Sequence, residues 1–172
     1  RQIAQEGIVL LKNEAALLPL NEADLKGKTI LVVGDNATRK LTEGGGSSEL
    51  KAKDEVSPLR ALQERYGKIA KVEYAQGYKC GPSMYGRTIE IPEAEQAQLR
   101  KEAVEKAQKA DFVIYVGGLN KNHFEDCEGG DRRHYELDFF QNELISGLAA
   151  ANQNLVTVIV SGNAYAMPWL SE

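Results

Sequence analysis

Alternation constrains this chain more than any other feature. Short apolar runs recur along it, separated by stretches with helical spacing. The runs are Thr29–Gly34, Lys71–Ala75, Asp111–Gly117 and Leu155–Ser161. The first, third and fourth are nearly continuous in Val, Ile and Leu. That is the pattern of parallel strands covered on both faces. Between them, Glu93–Lys109 aligns Leu99, Ala103 and Ala107, with Ala110 next on the same face. Phe140–Ala151 puts Phe140, Leu144 and Leu148 on one stripe, with Ile145 and Ala149 beside it. Pro58–Tyr66 is a shorter helix, with Ser57 as N-cap and Pro58 at its first position. Arg1–Leu11 also reads as helical, with Ala4, Ile8 and Leu11 aligned. Strands alternating with helices at this rhythm imply βαβ units. The expected fold is a three-layer α/β/α sandwich with a mostly parallel sheet, incomplete at its C-terminal end.

The length, 172 residues, suits a single domain spanning 1–172 with its own core. With 42% hydrophobic and 27% charged residues, the composition is globular and argues against intrinsic disorder. The net charge of −4 gives no basic footprint for nucleic acid, so no nucleic-acid partner is expected. No run of about 18 apolar residues offers a membrane span, so no membrane partner is expected either. No leader with a basic start and an apolar core is visible. The chain opens on Arg1 rather than Met, and Pro168–Glu172 reads as the start of a helix. We therefore expect a piece of a longer polypeptide.

Three irregular stretches remain: Asp35–Glu49, Gln76–Pro92 and Gly118–Asp138. The first and third follow strand ends, where open α/β sheets bind ligands. Connections this long are often functional. The first holds Gly44-Gly45-Gly46-Ser47-Ser48. It lacks the G-x-G-x-x-G spacing of a dinucleotide site, and the next strand closes on Tyr74-Ala75-Gln76-Gly77 without an acid. No P-loop is present. Its bare backbone makes either a surface turn or a close approach to a ligand or another domain.

The third stretch is the most chemically loaded, with His123, Glu125, Asp126, Cys127, Glu128, Asp131 and Arg132 close together. Its carboxylates do not match the spaced pattern of an EF-hand. His123 and His134 are not at zinc-ligand spacing with Cys80 or Cys127. Two cysteines set no disulfide framework. What remains open is a solvated charged loop or a carboxylic acid presented for proton transfer, with Glu128 followed by two glycines.

Several segments, in order, resemble the C-terminal α/β sandwich domain of family 3 glycoside hydrolases, the β-glucosidase and β-xylosidase group. Glu6–Glu14 with Leu17-Leu18-Pro19-Leu20 resembles the lead into that domain. Gly44–Ser48 followed by Ser57-Pro58-Leu59 resembles its glycine-rich loop and next helix. Gly117–Asn120 through Glu128-Gly129-Gly130-Asp131-Arg132 resembles its acid/base loop, E-G-x-D-R. Ser161-Gly162-Asn163 and Met167-Pro168-Trp169 resemble the next strand end and helix start.

The resemblance implies a retaining β-glucosidase, with β-xylosidase or a non-catalytic binding module as alternatives. It implies Glu128 as general acid/base, with Glu125 as rival. Ser47 and Ser48 would line the sugar site or, equally, form a turn seating the domain interface. Asp131 and Arg132 would position the loop, and Cys127 would be a spectator. The nucleophile would be an Asp of a preceding TIM-barrel domain that this chain lacks, so the piece alone should be inactive. No cofactor and no metal are implied. The implied partners are a β-glucoside or oligosaccharide and that barrel domain, in a periplasmic or secreted setting. Uncovered sheet surface would also favour a homo-oligomer.

Overall fold

The computed structural model describes residues 2–40, 50, 52–80, 90–119, 132 and 134–171. In chain order they form α1 (Gln2–Glu6), α2 (Glu22–Leu25), β1 (Thr29–Val33), α3 (Pro58–Tyr66) and β2 (Lys71–Ala75). These are followed by α4 (Glu93–Ala107), β3 (Phe112–Gly118), α5 (Gln141–Ala151) and β4 (Leu155–Val160). Short 3-10 turns cover Asp35–Thr38 and Pro168–Ser171.

The strands form one sheet in the order β2-β1-β3-β4, and every pairing is parallel. The period-two alternation of side chains separates two apolar cores. Leu31, Val33, Val113 and Tyr115 face one way and pack with Ala103, Ala107, Leu144, Ile145 and Leu148 of α4 and α5. Ile30, Val32, Ile114 and Val116 face the other way and pack with Leu25, Leu59, Leu62 and Tyr66. These are the three layers expected from the sequence. α3 starts as its capping residues dictate, with the Ser57 hydroxyl accepting from the Arg60 N–H and Pro58 in the first turn.

Four expectations are corrected. The first helix stops at Glu6 rather than Leu11. Ile8, Val9, Leu10 and Leu11 are all exposed, so no packing supports a helix too short to hold itself in water. α5 starts at Gln141 rather than Phe140, because Phe139 and Phe140 sit in the left-handed region at φ 60° and 59°. Their rings hold that turn: Phe139 stacks on Tyr78, and the Arg100 guanidinium lies 4.4 Å from the Phe140 centroid. The fourth strand is not covered on both faces. Leu155 and Ile159 reach one core and Val156 the other, but Val158 and Val160 are 42% and 37% exposed. Finally, β3 runs one residue further than expected, to Gly118.

Candidate functional site

Three polar knots lie in the chain at or past the carboxyl ends of the strands. The first lies just past β1. The Asp35 carboxylate is buried and accepts from three side chains. These are Arg39 through Nε, Gln76 through Nε2 at 2.8 Å, and Cys80 through Sγ at 2.8 Å. Asp35 thereby ties the exit of β1 to the exit of β2. Burial works against the Arg39 charge, but the adjacent Asp35 carboxylate, by its charge and its hydrogen bond, outweighs it and raises the guanidinium pKa. A buried carboxylate needs this pairing, since desolvation of an isolated charge costs several kcal/mol. The Tyr74 hydroxyl donates to the Gly34 carbonyl at 3.3 Å beside the knot.

The second knot lies at the end of β3. The Gln141 side chain is buried and makes three hydrogen bonds. Its Oε1 accepts from the Tyr115 hydroxyl at 2.7 Å and from the Gly118 N–H at 2.8 Å. Its Nε2 donates to the Gly118 carbonyl at 3.1 Å. Asn36 reaches the next residue, donating from Nδ2 to the Leu119 carbonyl at 3.4 Å. Two glycines make the knot possible. A Cβ on Gly117 would sit 2.1 Å from the Tyr115 hydroxyl, and Gly118 has φ 108° with a would-be Cβ 2.1 Å from the Val160 carbonyl oxygen.

The third knot is built on Arg132. Its Nη1 donates to Asn163 Oδ1 at 3.0 Å and to the Ala164 carbonyl. Its Nη2 donates to the carbonyls of Tyr135 at 3.0 Å and Glu136 at 3.1 Å. The Ala166 N–H also donates to the Tyr135 carbonyl. One planar guanidinium thus joins the chain after β3 to the chain after β4, a geometry that the fork of Arg donors suits and a Lys cannot copy.

Of the catalytic, sugar-lining and loop-positioning residues expected from the sequence, Arg132 is the one among the described residues, where its guanidinium joins the chain around Tyr135 and Glu136 to that around Asn163 and Ala164. Glu128, Glu125, Ser47, Ser48, Asp131 and Cys127 lie outside the described residues. Sequence reasoning missed Gln141, Asp35 and Asn36. Gln141 did leave a signal. It stands at the head of the i, i+3, i+4, i+7 stripe with Leu144, Ile145 and Leu148, where a polar residue must find buried partners. Among the described residues no cluster of three metal-ligating side chains occurs, and no helix is long and apolar enough to cross a membrane.

Comparison with known proteins joins this geometry to a family. The model of the glycosyl hydrolase family 3 C-terminal domain matches residues 8–172. A beta-glucosidase of Bacteroides ovatus is 58% identical over 99% of this chain, which spans 23% of that protein. An exo-alpha-(1->6)-L-arabinopyranosidase of Bifidobacterium breve is 35% identical over 98% of this chain, which spans 21% of it. Among solved structures, a family 3 beta-glucosidase from Bifidobacterium adolescentis superposes with a TM-score of 0.72 at 30% identity. That match covers 96% of this chain and 21% of the other.

Proposed function

Because the chain belongs to the glycosyl hydrolase family 3 C-terminal domains, we propose that it works as one domain of a retaining β-glucosidase, supplying the general acid/base to a nucleophile on a barrel domain. The observation that carries this reading is the 58% identity to the Bacteroides ovatus beta-glucosidase across 99% of the chain. The proposed acid/base is Glu128, and the proposed nucleophile is an Asp of the barrel.

The chemistry needs two carboxyl groups roughly 5–5.5 Å apart across the glycosidic bond. The nucleophile attacks the anomeric carbon while Glu128 gives its proton to the leaving oxygen. The covalent glycosyl-enzyme then forms, and the aglycone departs. Glu128, now a carboxylate, takes a proton from water, which attacks the same carbon and releases the sugar with its original configuration. To hold a proton near neutral pH, Glu128 needs desolvation or a nearby like charge, and docking against the barrel would supply both. Ser47 and Ser48 are proposed to face the sugar. Asp131 and Arg132 are proposed to hold the loop, a role that the Arg132 hydrogen bonds to Asn163, Tyr135 and Glu136 support.

The test uses the polypeptide that joins this chain to its barrel. Hydrolysis of p-nitrophenyl β-glucoside is measured for wild type and Glu128→Ala, with and without azide. Azide attacks the glycosyl-enzyme without a general base. Lost turnover that azide rescues, with a β-glucosyl azide as product, supports Glu128. Unchanged turnover removes it and moves the assignment to Glu125. Activity intact in Glu128→Ala, in Glu125→Ala and in the double variant points to a binding module. A second reading, a pentose-directed glycosidase such as a β-xylosidase, draws on the arabinopyranosidase match. Xylose and arabinopyranose both lack the C6 hydroxymethyl group of glucose. Preference for p-nitrophenyl β-xyloside over the glucoside would select it.

A further inference from the structure

Gly118 is the last residue of β3, and the segment carrying Glu128 begins two residues later. The backbone at Gly118 is therefore the fixed point from which that segment departs. β1 does not reach it, because the β1–β3 register ends at Val33↔Tyr115. On the other side, β4 pairs Gly118 with Val160, and the Leu119 N–H donates to the Val160 carbonyl. Where β1 has stopped, both hydrogen-bonding groups of Gly118 go to a single side-chain amide, that of Gln141. Gln141 acts there as one residue of a missing strand. It is 1% exposed and braced by the Tyr115 hydroxyl, which is itself fully buried. The far end of the same segment returns at Arg132, whose guanidinium makes four hydrogen bonds.

We propose that Gln141 is a positioning residue for the acid/base. By holding the N–H and C=O of Gly118, it fixes the direction in which the chain leaves β3 and so where Glu128 stands against the glycosidic oxygen. The proposal rests on the assignment of Glu128 made above. It has a specific chemical consequence. A displaced acid harms only steps that need proton transfer, and an error of about 1 Å in a reacting group can cost on the order of a hundredfold. Aryl glucosides with a very acidic phenol as leaving group need little protonation. Those with a weakly acidic phenol need it fully.

The experiment compares kcat/KM for 2,4-dinitrophenyl and unsubstituted phenyl β-glucosides in the barrel-bearing polypeptide. The variants are Gln141→Glu, Tyr115→Phe and Glu128→Ala. Gln141→Glu keeps the side-chain shape and the acceptor for the Gly118 N–H. In its ionised form it lacks the donor to the Gly118 carbonyl. Tyr115→Phe removes one brace and keeps the ring. The ratio between the two substrates does not depend on how much of the protein is folded, so it separates positioning from stability. We expect Gln141→Glu to lose about tenfold or more in the phenyl glucoside relative to the dinitrophenyl glucoside. Tyr115→Phe should show a smaller loss of the same sign. Glu128→Ala should show the largest. If Glu128→Ala gives the selective loss while both other variants keep the wild-type ratio, the Gln141 proposal is overturned and Glu128 stands. If Glu128→Ala itself keeps the ratio, the acid/base assignment fails first, and this proposal with it.

Discussion

Gly34 and Gly27 offer a paired test of what holds β1 against β3. Both have positive φ, 125° and 74°, so alanine at either meets a backbone penalty of about 1–3 kcal/mol, the larger at Gly34, whose ψ of 143° puts it where essentially only glycine goes. They differ in space. A Cβ on Gly27 meets nothing within 4 Å. A Cβ on Gly34 would stand 2.0 Å from the carbonyl oxygen of Val116 and 2.9 Å from its carbonyl carbon. Ordinary carbon–oxygen contact is well above 3 Å, so the strand ends would have to part by more than an ångström. That movement would pull on the Val33↔Tyr115 end of the ladder and on the Gly34 N–H bond to the Ala75 carbonyl, at 3.2 Å. It would also open the packing around Val32, Val33 and Val116, all at or near zero exposure.

One or two weakened hydrogen bonds cost about 1 kcal/mol each, and a disturbed core adds about 1–3 kcal/mol. With the backbone penalty, Gly34→Ala should cost about 3–8 kcal/mol, against about 1–2 kcal/mol for Gly27→Ala. The larger figure is a substantial part of the roughly 5–15 kcal/mol that stabilises a domain. Urea unfolding followed by far-ultraviolet circular dichroism gives both values, provided the slopes agree with wild type. If the two variants fell within about 1 kcal/mol of each other, the argument from close strand approach would be wrong.

Three more outcomes are expected. Asp35→Ala leaves the partly buried Arg39 without its carboxylate and strips Gln76 and Cys80 of their acceptor. Urea unfolding should show a loss of about 3 kcal/mol, partly recovered in Asp35→Ala/Arg39→Met, and a loss below about 1 kcal/mol would contradict the pairing. Tyr78 and Tyr115 are fully buried, and desolvation pushes both hydroxyls well above the usual 10.0. The folded state keeps them protonated while the unfolded chain ionises, so their contribution is complete below pH 10.0 and is lost as pH climbs beyond it. The urea midpoint should therefore fall between about pH 10 and 11, less steeply in Tyr78→Phe, and a flat midpoint would refute this. Arg132→Lys keeps the charge but loses the fork that joins Tyr135 and Glu136 to Asn163. In the barrel-bearing polypeptide it should lower kcat for phenyl β-glucoside about tenfold or more, and an unchanged kcat would remove Arg132 from the positioning role.

Much of this chain is legible without coordinates, because its signals are local. Val, Ile and Leu runs mark β1, β3 and β4, and Lys71–Ala75, less apolar, still matches its predicted bounds. Ser57-Pro58 marks the start of α3 to the residue. Alternation of strand and helix leads to a parallel sheet with helices on both faces. The ordered motifs around Gly44–Ser48 and Glu128–Arg132 lead to the family, which the match over residues 8–172 bears out.

Tertiary structure decided the rest, since it depends on groups far apart in the chain. Whether Ile8–Leu11 would extend a helix depended on a packing surface, and the fold gives it none. Phe139 and Phe140 took left-handed conformations because Tyr78 and Arg100 meet their rings. Asp35 gained partners 41 and 45 residues away at Gln76 and Cys80. Gln141 was assigned no role from sequence, and its place on the stripe with Leu144, Ile145 and Leu148 hints only that it is buried. That its amide completes the end of β3 follows from β1 stopping at Val33, from the absence of a side chain on Gly117, and from the seating of α5 on the sheet. Periodicity along a chain fixes which face of an element is apolar; the partner of a buried polar group is fixed only when separate elements close on one another.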